Sequence, residues 1–141
     1  MKAYVLGYAW YIRNRIPYLI LIKKTHPEPM NGLLNGIGGQ IEFRENSLDA
    51  MIREFREETG VQTQKRDWVS LGRHILPCFA DHGKDCDIFV LATQITLDQA
   101  HQVHSTTEEE VIALPLSEVK LDQMVESPWF EKVLAHISSR P

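Results

Sequence analysis

Residues 39–61 read GQIEFRENSLDAMIREFREETGV, and the rest of the chain is best read outward from them. From Ser47 to Thr59 the pattern is helical. Ser47 is the expected N-cap, Asp49 in the first turn complements the helix dipole, and Gly60 supplies the left-handed residue that ends the helix. At about 3.6 residues per turn, Glu57 lies roughly 60° to one side of Glu54 and Glu58 roughly 40° to the other, so three carboxylates share one face. Leu48, Met51, Ile52 and Phe55 occupy the adjacent arc and are expected to bury against a sheet. Like charges three and four residues apart repel, and beside a low-dielectric core the repulsion grows unless a cation neutralises it. A hard divalent ion with oxygen ligands satisfies this arrangement, and Mg²⁺ is the ion that keeps several waters while bridging carboxylates to phosphates. Ala50, one turn before Glu54, leaves space on that face. Arg53 and Arg56 are close by, and on residue types alone a solvated helix surface of mixed charge is the competing reading.

Upstream, residues 3–12 and 17–22 are β-rich runs separated by Arg13-Asn14-Arg15, which reads as a hairpin. Residues 25–39, THPEPMNGLLNGIGG, are loop chemistry: two prolines, two Asn-Gly steps and a Gly-Gly, interrupted by Leu33-Leu34 and Ile37. Downstream, strand candidates over 68–79 and 86–95 flank a polar tip from Ala80 to Asp85, and 111–116 adds a further strand. Near the end, Ser127 is read as an N-cap with Pro128 at the first helical position, followed by Phe130, Val133, Leu134 and Ile137 at helical spacing. Strands mixed with two separated helices predict an α/β or α+β sandwich.

A length of 141 residues fits one domain, 1–141, and 43 % apolar residues suffice for one core. The net charge of −4 and a pI near 5.8 give no general attraction to nucleic-acid backbones, so no long nucleic acid is expected as partner. Two cysteines, Cys78 and Cys86, sit either side of a polar stretch and could face each other, but they make no disulfide framework, and free thiols in a reducing cytosol are expected. No leader pattern or membrane-length apolar run is seen, so a soluble cytoplasmic protein is expected. His101 and His104 lack a second pair of ligands for zinc and are expected in an exposed loop.

The run 39–61 resembles the Nudix box of MutT-like hydrolases. It carries a glycine, five residues, Glu, seven residues, Arg-Glu-apolar, any residue, Glu-Glu, any residue, Gly and an apolar residue. The matching positions are Gly39, Glu45, Arg53, Glu54, Phe55, Glu57, Glu58, Gly60 and Val61. The chance of such a match at one start point is on the order of one in a billion. The resemblance implies an α/β/α sandwich around a mixed β-sheet. It implies Mg²⁺, or Mn²⁺, held by Glu54, Glu57 and Glu58 with the Gly38 carbonyl, and an Arg53–Glu45 pair that orients helix and loop. It also implies water attack on a diphosphate linkage in a nucleoside diphosphate joined to a group X, with the metal neutralising phosphate oxygens and lowering the pKa of the water. Some members use a proton-accepting acid outside the box. Here Glu110 or Glu108, in the tract before VIALPLSEV, is the expected counterpart, with Ala113 where the family often has Trp.

The segment LNGIGGQIE resembles the one in enzymes that sanitise oxidised purine nucleoside triphosphates, where the Asn of an Asn-Gly step contacts the base. Asn35 is its counterpart, the resemblance implies that Asn35 and Gly39 bind substrate, and Leu34 replaces the usual Trp. For Asn35-Gly36 a plain turn is the alternative. Trp129 and Phe130 resemble a Trp-Phe step that can wall a base pocket, with core packing as the alternative. The leading expectation is a nucleoside triphosphate pyrophosphohydrolase acting on a small nucleotide, as monomer or homodimer. The alternatives are a pyrophosphatase for nucleotide sugars, dinucleoside polyphosphates or capped RNA, and a sensor that binds nucleotides without turnover.

Overall fold

The computed structural model describes residues 1–78 and 81–139. Its first strand, β1 (Lys2–Arg13), is buried on both faces by strict alternation: Val5, Ala9 and Tyr11 face one way, Leu6, Tyr8 and Trp10 the other. Such a strand must be central, and β1 pairs with three others. β2 (Ile16–Lys23) returns antiparallel through Asn14 and Arg15, both with positive φ (52° and 67°), the backbone a two-residue hairpin turn needs. The expected loop over 25–39 contains two short strands, β3 (Leu34–Asn35) on β2 and β4 (Ile37–Gln40) on the first half of β1.

The long hairpin is β5 (Val69–Pro77) with β6 (Asp85–Gln94), its register shifted by a bulge between Ser70 and Gly72. Phe79 and Ala80, assigned above to a strand and its tip, lie outside the described residues. β6 runs parallel to β1, and β7 (Glu110–Pro115) closes onto β2, giving a mixed seven-stranded sheet. Helix α1 (Ser47–Thr59) packs on one face through Met51 and Phe55, with the Phe55 ring edge-on to Trp68 at 5.4 Å. Removing such a ring costs about 3–5 kcal/mol. Helix α3 (Phe130–Ser138) covers the other face through Phe130, Val133 and Ile137. The sheet sandwiched between helices is the α/β/α architecture expected.

Three local expectations are corrected. The cap of α1 is Asn46, one residue before Ser47, because the Asn46 side-chain oxygen accepts from the Asp49 N–H at 2.8 Å while Ser47 has already entered the helix. Ser127 does not cap α3. Its hydroxyl donates to the Val125 carbonyl, and the helix starts after Trp129. An unanticipated short helix, α2 (Leu97–Gln102), carries a reciprocal capping box between Thr96 and Gln99, and His101 lies in its last turn. No helix among the described residues is long and apolar enough to cross a membrane.

Candidate active site

Helix α1 is tied down at both ends. Gly60 adopts φ 81° and its N–H closes on the Arg56 carbonyl. The loop after α2 then lies along the same end: His104 N–H donates to the Thr59 carbonyl and the Thr106 hydroxyl to the Glu57 carbonyl. Glu54 is 9 % exposed and packs against β4. A Cβ on Gly39 would stand 2.3 Å from a Glu54 carboxylate oxygen, so that glycine is the residue that lets strand and acid meet. Glu57 is exposed, and Glu58 is half-buried.

Arg53 organises the acids. All five of its N–H donors find acceptors. Nε and Nη2 grip the Glu45 carboxylate at 2.7 and 2.8 Å, Nη1 reaches Glu54 at 2.8 Å and Glu57 at 3.2 Å, and Nη2 also donates to the Gln40 carbonyl at 3.1 Å. The expected Arg53–Glu45 pair is therefore present as a two-pronged clamp joining α1 to the loop before it. Those hydrogen bonds from Arg53 hold the Glu45 carboxyl below the usual range, against the opposing effect of burial. Burial raises Glu54, with Arg53 opposing, and burial together with Glu54 and Glu109 raises Glu58.

Among the described residues, no three acidic, histidine or cysteine side chains converge as they stand into a metal-holding group. Glu54 and Glu57 are turned to Arg53 instead. The donor set nevertheless suits a hard divalent ion. It is all oxygen, its buried members repel one another, and the space over Gly39 would be filled by any Cβ.

Beside the acids opens a cavity of about 360 Å³. Its apolar lining includes Leu6, Leu76, Ile88, Pro27, Met30 and Trp129, and its charged lining includes Glu58 and the Lys24–Glu109 pair. Gly38 and Gly39 form part of the lining, as does Asn35, whose side-chain oxygen accepts the Gly36 N–H at 2.9 Å. Asn35 thus makes the turn and faces the cavity at once. Trp129 is 4 % exposed and donates its indole N–H to the Tyr8 hydroxyl at 2.8 Å, so it too serves core and wall together. Burial pushes the Tyr8 phenol up to about 12.

Of the three glutamates at 108–110, Glu109 and neither Glu108 nor Glu110 lines the cavity. Glu110 begins β7 opposite Lys23, is exposed and does not line the cavity, while Glu108 is exposed and faces His26 at 3.7 Å. Glu109 points inward at 8 % exposure. It accepts from the Thr25 N–H at 2.7 Å and the Lys24 ammonium at 3.2 Å, and these hold its carboxyl below the usual range although burial works against them. A run of three glutamates carries no register in sequence, and only the strand that follows decides which one turns in. Lys24 and Glu126 also line the cavity and were not singled out from sequence. The alternation of β2, which buries Ile20 and Ile22 on one face, was the available signal for Lys24.

A family model for the NUDIX domain matches residues 8–136. Comparison with curated protein sequences finds no match. Among solved structures, a MutT/nudix family protein from Enterococcus faecalis superposes with TM-score 0.70 at 19 % identity over 81 % of this chain, which spans 43 % of that protein. The NUDIX domain of Shewanella oneidensis NrtR complexed with ADP ribose gives TM-score 0.70 at 16 % identity, covering 98 % of this chain and 86 % of that one. A C. elegans Ap4A hydrolase binary complex gives 0.72 at 14 %, covering 99 % and 96 %. At such identities these likenesses carry the fold alone. The family model, spanning all but the ends of the chain, carries the family: this protein belongs to the Nudix family.

Proposed function

We propose that the chain is a Mg²⁺-dependent hydrolase of the diphosphate linkage in nucleotides, and specifically that it converts a nucleoside triphosphate to a nucleoside monophosphate and pyrophosphate. The observation that carries this reading is the lining of the cavity, which joins apolar side chains to the charged group Lys24, Glu58 and Glu109, Glu58 coming from the acidic face of α1. A base is flat and largely apolar on its faces, and a triphosphate is a chain of anions, so the two kinds of lining suit the two parts of one molecule.

Glu54, Glu57 and Glu58, with the Gly38 carbonyl, are the residues to hold Mg²⁺ or Mn²⁺, which when bound supplies neutralisation of phosphate oxygens and a lowered pKa for the attacking water. Arg53 keeps the helix acids and the Glu45 loop in one place. Glu58 is the helix acid that opens onto the cavity, which supports it as the acceptor of the proton as the water oxygen bonds to phosphorus and the phosphoanhydride P–O bond breaks. Lys24 offers its ammonium to a phosphate oxygen. Among the apolar side chains Trp129 walls the base. Because the Asn35 oxygen is engaged by Gly36, its NH₂ is left to donate, while the Glu126 carboxylate accepts, a donor and an acceptor that can read a purine edge.

One panel tests the reading: dNTPs, oxidised dNTPs, ADP-ribose and diadenosine polyphosphates with Mg²⁺, the products separated by anion exchange. The highest kcat/KM is expected for a purine triphosphate yielding monophosphate and pyrophosphate. Preference for ADP-ribose or a dinucleotide overturns the triphosphate assignment, and saturable binding without turnover of any compound overturns the enzyme.

A further inference from the structure

The wall of the cavity contains a thiol. Cys78 follows the last residue of β5, is half-buried and lines the cavity next to Leu76 and Pro77. Cys86 lies fully buried near the start of β6, directly opposite Leu76 in the strand register, so Cys78 is its diagonal neighbour across the hairpin. One carbonyl gathers the two. The Lys84 oxygen accepts the Cys78 N–H at 3.0 Å and the Cys86 thiol at 3.7 Å. The Asp81 and Gly83 N–H groups both donate to the Cys78 carbonyl, and both cysteines are free thiols.

We propose that Cys78 is a thiol-exchange site in the cavity wall, taking low-molecular-weight disulfides of the glutathione class, with Cys86 as its resolving thiol. The Cys78 thiolate attacks one sulfur of the incoming disulfide, forming a mixed disulfide and releasing the first small thiolate. The Cys86 sulfur then attacks the Cys78 sulfur, forming the Cys78–Cys86 bond and releasing the second. The protein loses two electrons, the small disulfide gains them, and the two thiol protons end on the two released thiols. The order of the steps follows from access. Burial pushes the Cys86 thiol up to about 12, and its sulfur has no path to solvent, so it reacts only with a partner already seated on Cys78.

Closing the bond requires Cys78 to lean from the cavity toward the hairpin interior. The apolar wall formed with Leu76 and Pro77 then shifts, while the acids of the catalytic proposal belong to a different element, α1. Oxidation is therefore expected to weaken nucleotide binding more than it slows chemistry. This consequence, unlike the exchange itself, rests on the cavity being the nucleotide site.

The test treats the full-length wild type, Cys78→Ser and Cys86→Ala with oxidised glutathione and weighs the intact proteins without reductant. Wild type should lose the mass of two hydrogens and its free thiols, Cys86→Ala should stop at one glutathione adduct, and Cys78→Ser should stay unmodified. With the best substrate of the panel, oxidised wild type should show KM raised about tenfold and kcat within about twofold, both restored by dithiothreitol. An adduct on Cys78→Ser, or a wild type that takes up no glutathione and forms no bond, overturns the site. A Cys78–Cys86 bond that leaves KM unchanged overturns its coupling to the cavity. Because the masses need no turnover, the exchange site stands or falls separately from the hydrolase reading.

Discussion

Glu57 is the most exposed of the three helix acids and receives only the longest of the Arg53 hydrogen bonds, at 3.2 Å, so its carboxylate contributes little to packing. Glu57→Gln is expected to leave the metal-free melting temperature unchanged or slightly higher, since one negative charge leaves a crowded face. It should also lower kcat by about a hundredfold or more, as loss of a metal ligand does. Wild-type kcat at saturating Mg²⁺ removes Glu57 from the metal-holding set. Asn35 separates two roles in the same way. If its NH₂ group reads the base, Asn35→Ala and Asn35→Gly should both lower kcat/KM for the preferred nucleotide about tenfold, with a smaller loss for a poor base, because an unpaired base edge costs about 1–3 kcal/mol. An equal loss across bases in Asn35→Ala, with Asn35→Gly almost harmless, makes Asn35 a turn residue only. The box glutamates were legible in sequence because their spacing is a helical period. Glu109 was not, because its inward turn is decided by the pairing of Glu110 with Lys23 across the sheet.

At the scale of elements, α1 is held to its preceding loop by one guanidinium with five donors engaged. Lysine has three donors on a point charge and cannot grip Glu45 with two prongs while reaching Glu54. Arg53→Lys is expected to cost about 1–3 kcal/mol of stability and to lower activity through misplaced acids, whereas Arg56→Lys on the exposed side should change neither. Equal melting temperatures for the two variants show that the clamp does not hold the helix. Element ends were the least legible features. Asn46 and Ser47 are both good caps, and backbone geometry alone selects Asn46. Ser127-Pro128 has the residue types of a helix start, yet the Trp129 indole anchored on Tyr8 sets where α3 begins. Helix α2 is only six residues long, too short for periodicity to show, although its Thr96–Gln99 box stood in the sequence.

For the whole molecule, Mg²⁺ that binds the assembled acids and not the unfolded chain should raise the melting temperature, by about 2.7 kcal/mol of stability at a hundredfold excess over Kd. An identical rise with NaCl of equal ionic strength points to screening of surface charge instead. Tyr8 makes a pH prediction. Its phenol ionises near 10.0 when unfolded and about 12 when buried, so its contribution is intact below pH 10 and is lost as pH rises through that interval. Stability should fall more steeply between pH 10 and 12 in wild type than in Tyr8→Phe, and parallel slopes exclude it. The topology was beyond sequence reading because the parallel pairing of Lys2 with Cys86 and of Trp10 with Gln94 joins segments far apart in the chain, and no local pattern encodes it.

The acidic helix packs on one face of the sheet, while Leu6, Leu76, Ile88 and Trp129 belong to the packing on the other face. The two meet at a strip of backbone almost without side chains, Gly36, Gly38 and Gly39, which lines the cavity between them. A substitution among the apolar walls and one among the glutamates therefore share almost no neighbours, and their free-energy effects should add within about 0.5 kcal/mol. On the proposed reading, the choice of what to cleave can drift through many substitutions without disturbing the capacity to cleave.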